Sequence, residues 1–283
     1  MTIRKNQRKA KTAEAEEVKG GISDVMTLKL RYTKMPFQVE VPNVGTLNYS
    51  AASRGYVSHP EAVAWAETQG GVLVSLGRQA YIRNALQGQD NAHYSHHSST
   101  IVLHGIDDST GVMRPWEPDK EILKLVSAAG YAAHTGNGTN RRYHELTFRL
   151  QDKPDEEPTT DPLTLAIRKA WTEGKARQAN LSDGKNWETI SLADVKDYDK
   201  AKALLQEGLP YFVKDLESMR RTSLDIGSLT NTDLQNKGII DDSIVLVRPA
   251  GLGVGDFFNN DVDASVRFNN VRLARAVAVA PKK

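Results

Sequence analysis

Residues 119–150 read DKEILKLVSAAGYAAHTGNGTNRRYHELTFRL, and this stretch decides the class of fold. Asp119 is placed to cap a helix running to Ala129, with Ile122, Leu123 and Val126 facing inward and Gly130 as the stop. Beyond it, Tyr131 to Thr135, a Gly136-Asn137-Gly138 turn and a run from Arg141 to Leu150 read as a hairpin. In that extended run Arg141, Tyr143, Thr147 and Arg149 share one face, while Arg142, His144, Leu146, Phe148 and Leu150 share the other.

Working towards the N-terminus, a short apolar strand is expected from Thr100 to His104, preceded by a loop holding His93, His96 and His97. Val72 to Leu86 carries an apolar stripe at helical spacing, although Gly77 weakens it by ~1 kcal/mol relative to alanine. Pro60 suits a first helical position, so Glu61 to Gln69 reads as a helix. Val25 to Tyr32 alternates apolar and polar residues, Pro36 breaks it, and Phe37, Val39 and Val41 resume the alternation, which predicts a second hairpin. Residues 1–24 read as an arm ending in Gly20-Gly21.

Towards the C-terminus, the acidic, proline-rich residues 153–162 are the best linker in the chain, separating an α+β domain over 25–152 from residues 163–283. The second part predicts helices from Leu163 to Ala179, after the Ser191/Asp194 capping pair, and from Pro210 to Arg221. Strands follow from Ser243 to Arg248 and from Ala264 to Ala280, around a glycine loop at 251–255. Helices and hairpins without regular βαβ units predict an α+β fold with antiparallel, hairpin-rich sheets, several helices and an extended basic N-terminal arm.

The chain has 283 residues, 39% hydrophobic and 25% charged, which is a globular composition with ample material for a core. It has no cysteine, which excludes disulfides, thiolate nucleophiles and iron–sulfur clusters. No apolar run reaches the ~18–20 residues that span a bilayer, and the basic start is not followed by an apolar signal core. The sequence therefore points away from the membrane, to the cytoplasm or to a particle assembled there. Net charge is only +2, but Arg4, Lys5, Arg8, Lys9 and Lys11 lie together with no acid among them.

No active site assembles from the sequence, and no cofactor is implied. His93, His96 and His97 form a candidate metal-ligand grouping, without the His-Glu-x-x-His spacing of a helical zinc site. The glycines at 251–255 lack the following helix that a dinucleotide site needs, and Asp256, Asn259, Asn260, Asp261 and Asp263 miss the EF-hand spacing. The pairs Asp107-Asp108 and Asp241-Asp242 are sequence neighbours, whose side chains diverge in extended chain. Function is therefore expected on surfaces. A basic arm and a face of Arg141, Tyr143 and Arg149 suit contact with a DNA or RNA backbone, the arginines for phosphate and the tyrosine for stacking. The first expectation is a non-catalytic, self-assembling protein of a virion or similar nucleoprotein assembly, with copies of itself as partners. A single-strand nucleic-acid-binding protein and an enzyme without a recognisable motif are the alternatives.

Overall fold

The computed structural model describes residues 3–5, 35–135, 145–253 and 261–278. The fold is α+β and rests on two sheets. The smaller has five strands in the order β1 (Ile3–Lys5), β2 (Phe37–Val41), β3 (Gly45–Tyr49), β13 (Ala276–Ala278) and β4 (Gly71–Leu73). The larger runs β8 (Ala179–Asn180), β6 (Thr110–Trp116), β5 (His96–Asp107), β11 (Ile244–Leu252), β12 (Asp261–Asp263), β10 (Ser223–Gly227) and β9 (Trp187–Ser191), with β7 (Thr147–Arg149) also pairing to β11.

The larger sheet is covered on both faces, and strand periodicity sorts its side chains between them. Ile101, Leu103, Val245 and Val247 point to a core with Val63, Leu123, Val126, Ile167, Trp171 and Phe268. Those residues come from helices α1 (His59–Thr68), α3 (Lys120–Thr135) and α4 (Pro162–Glu173) and from the C-terminal loop. Val102, Leu246 and Ala250 point the other way, to Leu76, Leu204, Leu205, Phe212 and Leu216. Helices α2 (Leu76–Leu86), α5 (Asp199–Leu205) and α6 (Leu209–Ser218) supply that layer; α7 (Asn231–Asn236) adds Leu234. A third cluster joins the smaller sheet to α2 through Val39, Tyr49, Tyr81, Ile82 and Val277.

Several expectations are corrected. Val72 begins no helix: it pairs with Val277 in the smaller sheet, and α2 starts only after its Ser75 cap. His96 and His97 lie not in a loop but at the start of β5, opposite Leu252 and Gly251 of β11. Gly130 does not stop its helix, because the Phe268 ring packs where a Cβ would project, so α3 continues through Tyr131–Thr135. The hairpin expected over 131–150 is absent from the described residues: Thr147–Arg149 pairs instead with Ile244–Leu246, almost a hundred residues away. β2 forms its hairpin with β3, a segment too polar to be recognised from pattern; the strand expected over Val25–Tyr32 lies outside the described residues. Of the long strand expected over 264–280, the described residues hold β13 and isolated bridges at Arg272 and Leu273, with the Arg272 and Arg275 side chains turned inward to ion-pair. Gly251 belongs to β11 rather than to a loop, and a Cβ there would crowd the His96 carbonyl at 2.9 Å. Residues 153–161 join β7 to α4 without helix or strand, and strands from both sides of them share the larger sheet.

Candidate functional site

Only part of the set expected to carry function falls among the described residues. Arg8, Lys9, Lys11, Arg141 and Tyr143 lie outside the described residues, as do Asp256, Asn259 and Asn260. Arg4 and Lys5 fall in β1, where the backbone pairs with β2. Arg149 is exposed on β7, and its carbonyl accepts from Arg168 Nε at 2.9 Å.

The three histidines do not converge. His93 Nε2 meets Asp215 Oδ1 at 2.9 Å, beside the buried Arg83–Asp215 pair. His96 Nδ1 donates to the Tyr94 carbonyl at 2.8 Å, and His97 Nε2 to that of Val57 at 2.8 Å. Among the described residues no group of three or more histidines and acids is arranged to hold a metal ion. His59, His96, His97 and His104 are all buried, and desolvation by that burial pushes each well below the usual histidine range. They are neutral structural groups. Of the carboxylate pairs, Asp107 serves Arg114 and Lys175, and Asp241 accepts from the Ser243 amide and hydroxyl.

What the tertiary structure does build is a fixed segment over residues 50–57, laced onto the C-terminal chain. Ser50 N–H donates to the Ala276 carbonyl at 2.9 Å, and Ala276 N–H returns a bond to Ser50 Oγ at 2.9 Å. Ser53 repeats the device three residues on, giving 2.8 Å to the Ala274 carbonyl and accepting from Ala274 N–H at 2.9 Å. Val57 and Arg272 exchange both backbone bonds at 2.9 Å. Serine hydroxyls thus stand in for backbone carbonyls, so the segment can leave strand geometry without orphaning the amides opposite.

Buried arginines lock the same region from beneath. Arg275, fully buried, donates to Asp90 Oδ2 at 2.8 Å, to the Ser50 carbonyl at 2.9 Å and to the Asp90 carbonyl at 2.8 Å, and Asp90 also receives Ala52 N–H at 2.9 Å. Arg272 holds the Leu252 and Gly253 carbonyls, Ser95 Oγ at 3.1 Å and Asp263 at 3.5 Å. A guanidinium suits this work because its planar fork of donors satisfies several fixed carbonyls at once.

Against the fixed segment lies a groove of about 610 Å³, lined by Pro36, Ser53, Arg54, Gly55, Trp65 and Gln69 with the alanines and Val57 between. Trp65 sits on α1 and is half-buried, whereas Arg54 is exposed at the rim. An indole wall with a guanidinium and a carboxamide at its edges offers an apolar platform and planar polar groups together. In the sequence Trp65 read only as a helix residue. Nothing in the pattern placed it opposite residue 54, since the C-terminal chain brings that segment into position.

No family model and no curated protein matches the chain. Among solved structures, one described as "Accommodation of massive sequence variation in Nanoarchaeota by the C-type lectin fold" is similar. The TM-score is 0.50 at 12% identity, over 81% of this chain and 97% of that one. The likeness shows a C-type lectin fold. It corrects the expectation of a self-assembling virion or nucleoprotein component and its single-strand nucleic-acid alternative, neither of which it supports. Among the described residues no helix is long and apolar enough to cross a membrane.

Proposed function

We propose that this protein is a non-catalytic recognition module that binds a saccharide in the groove between residues 51–57 and Trp65. The carrying observation is the Trp65 indole facing a cleft whose rim holds Arg54 and Gln69 and whose far wall is immobilised backbone. A sugar presents an apolar C–H face and a ring of hydroxyls. The indole covers the first, and planar amide and guanidinium groups pair with adjacent hydroxyls. Binding sites of this kind are mostly apolar with a few fixed polar groups. Because the wall is already ordered, little conformational entropy is lost on binding. The C-type lectin fold of the solved neighbour is consistent with recognition rather than turnover.

The test is a glycan array followed by calorimetry on the best saccharide, with Trp65→Ala, Trp65→Phe and Arg54→Ala. The reading expects Trp65→Ala to weaken binding at least ~10-fold and Trp65→Phe to retain part of it; because Trp65 also packs against the core, circular dichroism confirms that each variant is folded at the titration temperature. Absence of binding across the array, or a Trp65→Ala variant that binds as well as the parent, overturns it.

A further inference from the structure

A second cleft, of about 250 Å³, opens between the N-terminus of α2 and the turn at 206–208. It exists because backbones meet there closely: a Cβ at Gly208 would overlap the Gly77 carbonyl, and one at Gly77 would lie 2.9 Å from that of Leu205. This crossing brings Gln206 and Glu207 into the lining of the same cleft as Ser99 and Glu117.

Glu117 is an exposed residue overall, yet its carboxylate is turned inward onto hydroxyls. Oε1 accepts from Thr100 Oγ1 at 2.5 Å and Oε2 from Ser99 Oγ at 3.1 Å. Thr100 Oγ1 in turn accepts from the Leu76 amide at 3.0 Å, so the carboxylate is oriented by a relay that ends on the α2 backbone. Desolvation pushes Glu117 up to about 7, and the nearby Glu207 charge adds to this, while the Thr100 and Ser99 bonds and Arg78 oppose it. Among the described residues neither Glu117, Glu207 nor Arg78 takes part in an ion pair. The cleft thus holds two carboxylates and one guanidinium without mutual pairing, beside the apolar Val72, Leu73 and Pro118.

We infer that this cleft binds a small aliphatic amino acid, its ammonium between Glu117 and Glu207, its carboxylate on Arg78, and its side chain against Val72 and Pro118. The two carboxylates, neither of them in an ion pair, call for a cation, which the ammonium supplies. Arg78 provides for an anion on the same molecule. A cleft of about 250 Å³ has room for a ligand of that size.

The experiment is calorimetric titration of the whole chain with L-leucine, with 3-methylbutylamine, which lacks the carboxylate, and with 4-methylpentanoate, which lacks the ammonium. L-Leucine should bind, and both half-ligands should bind at least ~10-fold more weakly. Glu117→Gln and Arg78→Gln should each weaken L-leucine at least ~10-fold, with unfolding followed by circular dichroism to confirm the fold. No binding of L-leucine up to about 10 mM overturns the proposal, as does binding that both variants leave unchanged. Calcium binding at this cleft, abolished by Glu117→Gln, would assign the carboxylates to a metal and overturn it equally. Because Trp65 and Arg54 play no part here, failure of the groove reading leaves this one standing.

Discussion

Acidification from pH 7.5 to 5 is the perturbation to which this fold is most exposed. Burial lowers His59 to about 4 and His96 and His104 to about 3, and His97 falls well below its usual 6.5. In the unfolded chain all four titrate near 6.5. Their folded pKa values are depressed, so the stability they contribute is fully present above pH 6.5 and is lost as pH falls towards the folded values. Below pH 6.5 the unfolded state binds about four more protons through these groups, worth about 5 kcal/mol per pH unit at ~1.4 kcal/mol per proton. Glu117 acts in the opposite sense. Its folded pKa is raised to about 7, so between about 7 and 4.5 the folded state holds an extra proton. The net slope is then nearer three protons, about 4 kcal/mol per pH unit. Over the 1.5 units from pH 6.5 to 5 that amounts to about 6 kcal/mol of a total stability of ~5–15 kcal/mol, which predicts a large loss of stability by pH 5. Guanidinium chloride unfolding followed by tryptophan fluorescence, repeated from pH 8 to 5, measures this slope. His104→Leu should reduce it by about one proton. An unfolding free energy that stays level down to pH 5 would refute the reasoning, because these histidines could then charge in place.

Three further outcomes follow from the packing. Ser53→Ala removes the hydroxyl that satisfies Ala274 N–H and should cost about 1–3 kcal/mol, read as a lower denaturation midpoint, whereas Ser53→Thr should recover much of it. Arg275→Met leaves Asp90 and the Ser50 carbonyl without their partner and should cost about 3 kcal/mol, with faster amide exchange over residues 50–53. Gly130→Ala drives a methyl group into the Phe268 ring and should destabilise by about 1–3 kcal/mol despite alanine's better helix propensity; a rise in thermal midpoint would contradict the packing described for α3.

How much of this was legible in the chain depended on the range of the interactions. Helices α1, α4 and α6 were legible because a first-turn proline and apolar spacing are local signals: Pro60 and Pro210 mark the starts of α1 and α6, whereas Asp161 and Pro162, which cap and open α4, were assigned to the linker. β5 and β11 were each recognised only in part. Strands covered on both faces carry no alternation, and their ends, the polar His96-His97 and the Pro249–Leu252 stretch with its proline and glycine, are set by pairing with each other. β9, β10 and α7 were not recognised, being short and polar and held by contacts distant in sequence.

The candidate sites divide the same way. Sequence by itself determined the α+β class, the absence of thiol chemistry and the lack of any local catalytic motif, because these depend on composition and near-neighbour spacing. Tertiary structure alone decided that Arg272 and Arg275 are internal clamps rather than strand-surface charges, that His96 and His97 are neutral core residues, and that Trp65 and Arg54 line one groove and Glu117 and Glu207 one cleft. Each of these joins residues separated by more than a helix or strand length. Burial and electrostatics depend on which chain lies opposite, and only the folded chain specifies that.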